Sequence, residues 1–342
     1  MRKIQNNLKI KAAVLVKKKK IKIFQSIRFE KLESKQVLVK IHYSGLCGSQ
    51  IFEINGHRGE DRYIPHMLGH EATGKVINIG SKVKNVKIGD KVFLSWIKTN
   101  EIDSIVPKFF TKNKKINAGR ITTLSNFSII SSNRVYKMPK EINFREGILL
   151  GCAFPTGAGM LLNNKKKNKK VLIIGLGGVG TSALLTSVYL KFNNVDVFEI
   201  NKYKIKHVST IINNKKITFF EKFNFLKKNY YDLIIETSGV SKIISSSMQL
   251  LNNQGKIIFA SHPKFNSKIE LDPFDLILGK KIRGSWGGGI KFPRDVKNLV
   301  KIIKSCKNLE KLFFKKIYTL NKIKIAIKDL QEGRVIRPLI KL

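Results

Sequence analysis

Cysteine is nearly missing from this 342-residue chain. There are three, too few for a disulfide framework, and that scarcity suits a reducing cytoplasm. Acidic residues are also short, 23 against 66 lysines and arginines, which leaves a formal net charge of +43. Arginine, the planar reader of phosphates and base edges, is the rare member of the basic set. Its shortage argues against a dedicated nucleic-acid role. Lysines spread through the whole chain, alongside an excess of Ile, Asn and Phe, match the drift of an AT-biased coding sequence. Long apolar runs are missing as well. Ala12-Ala-Val-Leu-Val16 is too short for a membrane span or a signal-peptide core and reads as a first β-strand. No internal repeat is found.

What is present describes a globular protein: 42% hydrophobic and 26% charged residues, with length for two domains. Up to Cys152, short β-branched runs at 36–41, 74–79 and 90–95 alternate with glycine and charged turns. That pattern predicts an all-β, barrel-like domain over residues 1–152. The pattern then changes. An Asn/Lys run at 163–170 reads as a solvated connection, and the apolar run 171–174 flows into a glycine loop. A helix to about residue 191 follows, then strands at 195–199, 231–236 and 256–260 separated by helical stretches. This alternation predicts a doubly wound parallel sheet, an α/β domain over residues 153–289. The remainder reads as a helix near 295–312, a strand near 316–318, a helix from 321 and a final strand at 337–342. Cys306 is expected at a packed helical position.

Two of the three cysteines stand where a metal can use them. Cys47 lies in Gly45-Leu-Cys-Gly-Ser-Gln50 and Cys152 in Gly151-Cys-Ala-Phe-Pro-Thr-Gly157; between them comes His70, in Gly69-His-Glu71. Two thiolates and one imidazole make a three-ligand zinc set with an open fourth position, and zinc acts there as a Lewis acid towards an alcohol. Ser49 is placed to take the alcohol proton. The loop Gly175-Leu-Gly-Gly-Val-Gly180 has a strand before it and a helix after it, the context a dinucleotide fingerprint needs. Gly175 permits the tight turn, Gly177 the close approach of a pyrophosphate, and Gly180 helix–strand packing. Glu199, 19 residues beyond Gly180, can accept from ribose hydroxyls and repel a 2′-phosphate, which favours NAD over NADP; Lys202 and Lys204 pull the other way.

On these residues the chain resembles the medium-chain, zinc-dependent alcohol dehydrogenases over nearly its full length. The matching stretches are Gly45-Leu-Cys-Gly-Ser49, Leu68-Gly-His-Glu71 with Gly74, Gly89-Asp90-x-Val92, Gly151-Cys152 with Thr156-Gly157, the glycine loop, and Gly333-x-x-x-Arg337. The resemblance implies a Rossmann domain and a GroES-like β-barrel completed by residues from about 290 to 342. It implies Cys47, His70 and Cys152 as zinc ligands, Glu71 behind the metal as a transient ligand, and Ser49 as the first proton relay. Thr156 and Val179 would pack on the nicotinamide, Glu199 and Lys204 would hold the adenosine ribose, and Arg337 would meet the pyrophosphate. A homodimer or homotetramer is implied too.

Three departures stand out. The segment from Ser95 to Lys115 contains no cysteine, so the second, structural zinc of many relatives is not expected. Gln50 stands where an Asp commonly orients the zinc histidine; its amide oxygen can accept the same bond without the charge. Phe52 stands at the usual relay histidine, with His57 or His66, both read as surface residues, as substitutes. The segments 59–66 and 116–123 would border the substrate cleft, and subgroup likeness implies a polar alcohol, a polyol or sugar derivative. Two competing readings are a zinc-free quinone or enoyl reductase on the same fold, and a basic polyanion-binding protein on a dehydrogenase scaffold.

Overall fold

The computed structural model describes residues 8–112, 114–164 and 169–342. Residues 165–168 of the expected Asn/Lys connection lie outside that set. The first half of the chain folds into two antiparallel sheets. In one, Ile10–Lys17 lies between Lys20–Phe29 and His66–Met67. The other is centred on Gln36–Gly45, which pairs with Glu71–Ile79 and Phe127–Ser131. The period-2 pattern of that central strand explains its position. Val37, Val39 and Ile41 join Val76, Val92 and Leu94 in one core, while Leu38 points to another with Ile10, Val14 and Ile129. Burying each such side chain contributes about 1.5–3 kcal/mol, so a one-residue slip in register would be heavily penalised.

The parallel sheet runs in the order Ile217–Phe220, Asn194–Phe198, Lys170–Ile174, Tyr231–Glu236, Leu251–Phe259, Lys281–Gly284. Strand order reverses between Lys170–Ile174 and Tyr231–Glu236. The glycine loop leaves the sheet there, at the carboxyl end where such sheets bind ligands. The charged strand Lys20–Phe29 and the short strands Ile217–Phe220 and Lys281–Gly284 were not foreseen; little of the last two is buried, so their apolar signal is weak.

After the parallel sheet the chain returns to the antiparallel half. Leu339–Lys341 pairs with Gly45, Ser44 and Tyr43, and Ile317–Thr319 pairs with Leu339–Lys341. That return places Arg337 beside the Gly45 end of the central strand. The final strand is shorter than the expected 337–342 because Pro338 has no N–H to give. The helix expected over 295–312 is two helices, Val296–Ser305 and Leu309–Phe313. Cys306 breaks them with an extended backbone (φ −100°, ψ 103°); it is half-buried and packed against the core, but at the helix end and not within a helix. The turn lets Leu309, Leu312 and Phe313 reach the same core as Leu299 and Ile303.

Candidate active site

Each expected metal ligand sits at the start of a rigid element. Cys47 precedes the helix Gly48–Ile54, His70 the strand Glu71–Ile79, and Cys152 the helix Ala153–Leu162. Their donor atoms converge, all within 4.8 Å of one another. The two Sγ atoms are 3.9 Å apart, and His70 Nε2 is 3.3 Å from Cys152 Sγ. Zinc–sulfur bonds of ~2.3 Å at a tetrahedral angle put two sulfurs about 3.8 Å apart, so the spacing fits the ion. It is far too long for a disulfide, at ~2.05 Å. Cys152 bonds to Cys47 and holds the Cys47 thiol well below its ordinary pKa, helped by Arg337 and His70. The same bond, with burial, pushes Cys152 up.

Behind the ligands is a buried ion pair. Glu71 is fully enclosed, and its Oε2 accepts from Arg337, itself only 2% exposed. Burial raises the Glu71 pKa, opposed chiefly by the Arg337 charge. For Arg337, burial works against the charge, but Glu71, Cys47 and Cys152 outweigh it and the net shift is upward. The glycines before each cysteine make room for this carboxylate: a side chain on Gly45 would collide with Glu71 Oε1, and one on Gly151 would come within 2.5 Å of Glu71 Cβ. The pairing of residues 71 and 337 had no sequence signal beyond the presence of both.

The glycine loop joins the strand Lys170–Ile174 to the helix Gly178–Tyr189. Gly175 takes a left-handed φ of 91°, a side chain on Gly177 would point into open space, and one on Gly180 would collide with the Gly175 carbonyl. The Glu199 carboxylate accepts the N–H of Leu176 (2.8 Å) and of Asn201 (2.9 Å), with Lys204 Nζ 3.6 Å away. Val179 is half-buried on the first turn of the helix Gly178–Tyr189, and Thr156 donates its hydroxyl to the Cys152 carbonyl at 2.8 Å.

Comparisons with known proteins find likenesses over nearly the full length of the chain. The family model "Alcohol dehydrogenase GroES-like domain" matches residues 33–140. The S-(hydroxymethyl)glutathione dehydrogenase of Komagataella pastoris is 23% identical, covering 98% of this chain and 98% of its own. The alcohol dehydrogenase class-2 isozyme 2 of Oryctolagus cuniculus is 25% identical, covering 97% and 98%. The crystal structure of benzyl alcohol dehydrogenase from Acinetobacter calcoaceticus superposes with a TM-score of 0.83 at 21% identity, over 97% and 99% of the two chains. The chain thus carries an alcohol dehydrogenase GroES-like domain and is similar over nearly its full length to alcohol dehydrogenases.

Within this alcohol dehydrogenase-like enzyme the departures take definite form. Gln50 is 2% exposed, and its Oε1 has no partner, so the expected hydrogen bond to His70 is not made. Phe52 packs edge-on against His57 (centroids 5.2 Å apart), whose Nδ1 is enclosed without a partner. Neither histidine is a surface residue. His57 is half-buried, and His66 is buried with Nδ1 at 3.0 Å from the Met67 carbonyl and Nε2 at 2.8 Å from Asp61 Oδ2. In the segment from Ser95 to Lys115, which has no cysteine, this chain gathers cations round one carboxylate. Asp103 lies 3.2 Å from Lys98, 3.2 Å from Arg134 and 3.9 Å from Arg120, and Asn133 donates to it at 3.0 Å. Burial opposes its charge, but Asn133, Arg134 and Lys98 together lower the Asp103 pKa. The missing cysteines were the only sequence hint of this hub.

Proposed function

We propose that the chain is a one-zinc, NAD-dependent dehydrogenase that interconverts an alcohol with its aldehyde or ketone by hydride transfer. The supporting observation is the convergence of Cys47, His70 and Cys152 within 4.8 Å, at the foot of a helix packed against the nucleotide loop. Zinc held by these three residues supplies Lewis acidity towards the substrate oxygen, and the nicotinamide supplies the hydride acceptor. Ser49 is half-buried and bonds to nothing among the described residues, so its hydroxyl is free to accept the carbinol proton. Arg337 bridges two roles. One edge holds Glu71 behind the ligands, and a side chain on Gly178 would lie 3.0 Å from its Nη1, which puts the guanidinium at the helix turn that faces a pyrophosphate. Glu199 would accept from the ribose hydroxyls, with the charge of Lys204 spent on Glu199 instead of a 2′-phosphate. Thr156 and Val179 would flank the nicotinamide.

A division into residues 1–152 with 290–342, and 153–289, is supported by the return of Leu339–Lys341 to the antiparallel sheet. Assembly into a homodimer or homotetramer fits the free side of the edge strand Lys281–Gly284 and the exposed Phe274 (60%) and Ile277 (77%) beside it. Among the described residues no helix is long and apolar enough to cross a membrane, and free thiols at the site suit the cytoplasm.

Elemental analysis of purified protein should give about one zinc per chain. Turnover with NAD should exceed turnover with NADP, and Glu199→Gln should narrow that preference by about tenfold, the worth of one charge-assisted contact. A metal-free protein that turns over alcohols would overturn the reading.

A further inference from the structure

The ring of a metal-binding histidine is ordinarily aimed by a hydrogen bond to its second nitrogen. For His70 the expected acceptor was Gln50, whose Oε1 is enclosed and without a partner. What directs His70 instead is its backbone, which is held on both sides by residues distant in sequence. Ahead of it, the Leu68 carbonyl accepts two N–H groups, from Thr123 at 3.0 Å and Leu124 at 2.9 Å. Gly69 then turns left-handed (φ 102°), and a side chain on it would collide with the Thr123 hydroxyl and with the amides of Thr123 and Leu124. The chain at 123–124 thus lies directly against the turn that delivers the imidazole.

Beyond His70, the Glu71 carbonyl is met by two hydroxyls, those of Ser44 at 3.0 Å and Thr123 at 3.1 Å, which stand 2.9 Å from each other. Ser44, Glu71 and Thr123 are all 0% exposed, so no solvent competes for these bonds. Each hydroxyl carries one proton, and two protons serve three contacts; either hydroxyl can hold the carbonyl if the other is lost. The same device recurs at Cys152. Ser95, the partner of Glu71 across the sheet, donates to the carbonyl of Gly151, the residue before that ligand, at 2.8 Å. Buried hydroxyls therefore tie down the residue after one ligand and the residue before another.

We propose that Ser44 and Thr123 are positioning residues for the metal: together they clamp the Glu71 carbonyl and so aim the His70 imidazole, in place of the ring bond that Gln50 does not make. This rests on the zinc dehydrogenase reading above and deepens it by naming what holds one ligand in place. Thr123 acts on both sides of His70, through its amide on Leu68 and its hydroxyl on Glu71. A stretch fixed at its first and last carbonyls leaves His70 little freedom beyond rotation of its own side chain. The segment 116–123, read from the sequence as a border of the substrate cleft, ends in the service of the metal histidine.

Zinc affinity reads this clamp without turnover, by competition between the full-length protein and a chromophoric chelator. Ser44→Ala and Thr123→Val alone should each change it little, because the remaining hydroxyl keeps the carbonyl. Together they should weaken zinc by about tenfold, a non-additive loss. Adding Gln50→Asp, which offers the ring a charged acceptor, should recover most of it. The visible ligand-field bands of the Co(II)-loaded protein follow the same geometry more finely: each single variant should shift them, and Gln50→Asp in the same chain should shift them back. Native affinity in the double variant overturns the proposal. So does a loss that Gln50→Asp leaves untouched, for then the hydroxyls only hold the fold together. Bands that stay put in both single variants overturn it even if the double variant does not fold. Native protein that binds zinc but turns over no alcohol ends the dehydrogenase reading and leaves the clamp standing. Native protein that turns over alcohols, with zinc held as tightly by the double variant, ends the clamp and leaves the reading.

Discussion

The corner around Cys152 and the lobe around Asp103 both gather ionisable groups, with opposite balances of charge. At the corner, Cys47, Cys152 and Glu71 face Arg337 and His70, and the donors left over are soft, convergent and free to take a cation. In the lobe, one carboxylate faces Lys98, Arg134 and Arg120, with Asn133 completing its bonds. That centre is already neutralised several times over, and a metal would gain nothing there. A cation site therefore requires more than carboxylates or thiols in proximity: it requires negative charge that the protein has not already balanced.

The comparison can be broken in order of expected effect. Cys47→Ser should abolish both zinc occupancy and turnover while coenzyme binding, followed by nicotinamide fluorescence, stays largely intact. Undiminished activity in that variant would show that the corner is not the metal site. Arg337→Met leaves the Glu71 charge buried without its partner, and should cost about 3–5 kcal/mol of unfolding free energy in urea titration. Restoring much of that loss with the added substitution Glu71→Gln would identify the unpaired charge as the cause.

Removing metal with a chelator should lower the thermal midpoint but leave the lobe at 96–108 as resistant to limited proteolysis as before. If the lobe loosened too, its stability would depend on the corner. Asp103→Asn is the smaller, complementary change: about 1–2 kcal/mol, with earlier cleavage in the lobe and no loss of zinc. The sign of its pH dependence follows from the lowered Asp103 pKa. The contribution is fully present above the ordinary aspartate value of about 3.9 and is lost as pH falls through the lower folded value. Lobe cleavage in the native protein should accordingly rise only in strong acid, and Asp103→Asn should remove that dependence.

Much of the site was legible because chemistry and local spacing carry it. Thiolate and imidazole are metal donors wherever they stand, and a strand–glycine loop–helix run with an acid 19 residues on is a local pattern. Alternating apolar residues in 36–41 and 74–79 predicted strands for the same reason. Weakly buried strands such as Lys281–Gly284 gave little signal, and the break at Cys306 depends on where a distant core lies.

Residue identity and local period were determined by the sequence alone: which atoms can bind a metal, which loop can face a phosphate, and that no cysteine cluster exists between Ser95 and Lys115. Only the tertiary structure decided the partners. Glu71 and Arg337 are 266 residues apart and meet because Leu339–Lys341 returns to pair beside Gly45. Gln50 lost its expected bond, Asp103 became the centre of a lobe, and Thr123 found the Glu71 carbonyl. The physical reason is the same in each case. A side chain's chemistry is intrinsic, but its neighbours are set by sheet register and by the path the chain takes to bury its apolar faces.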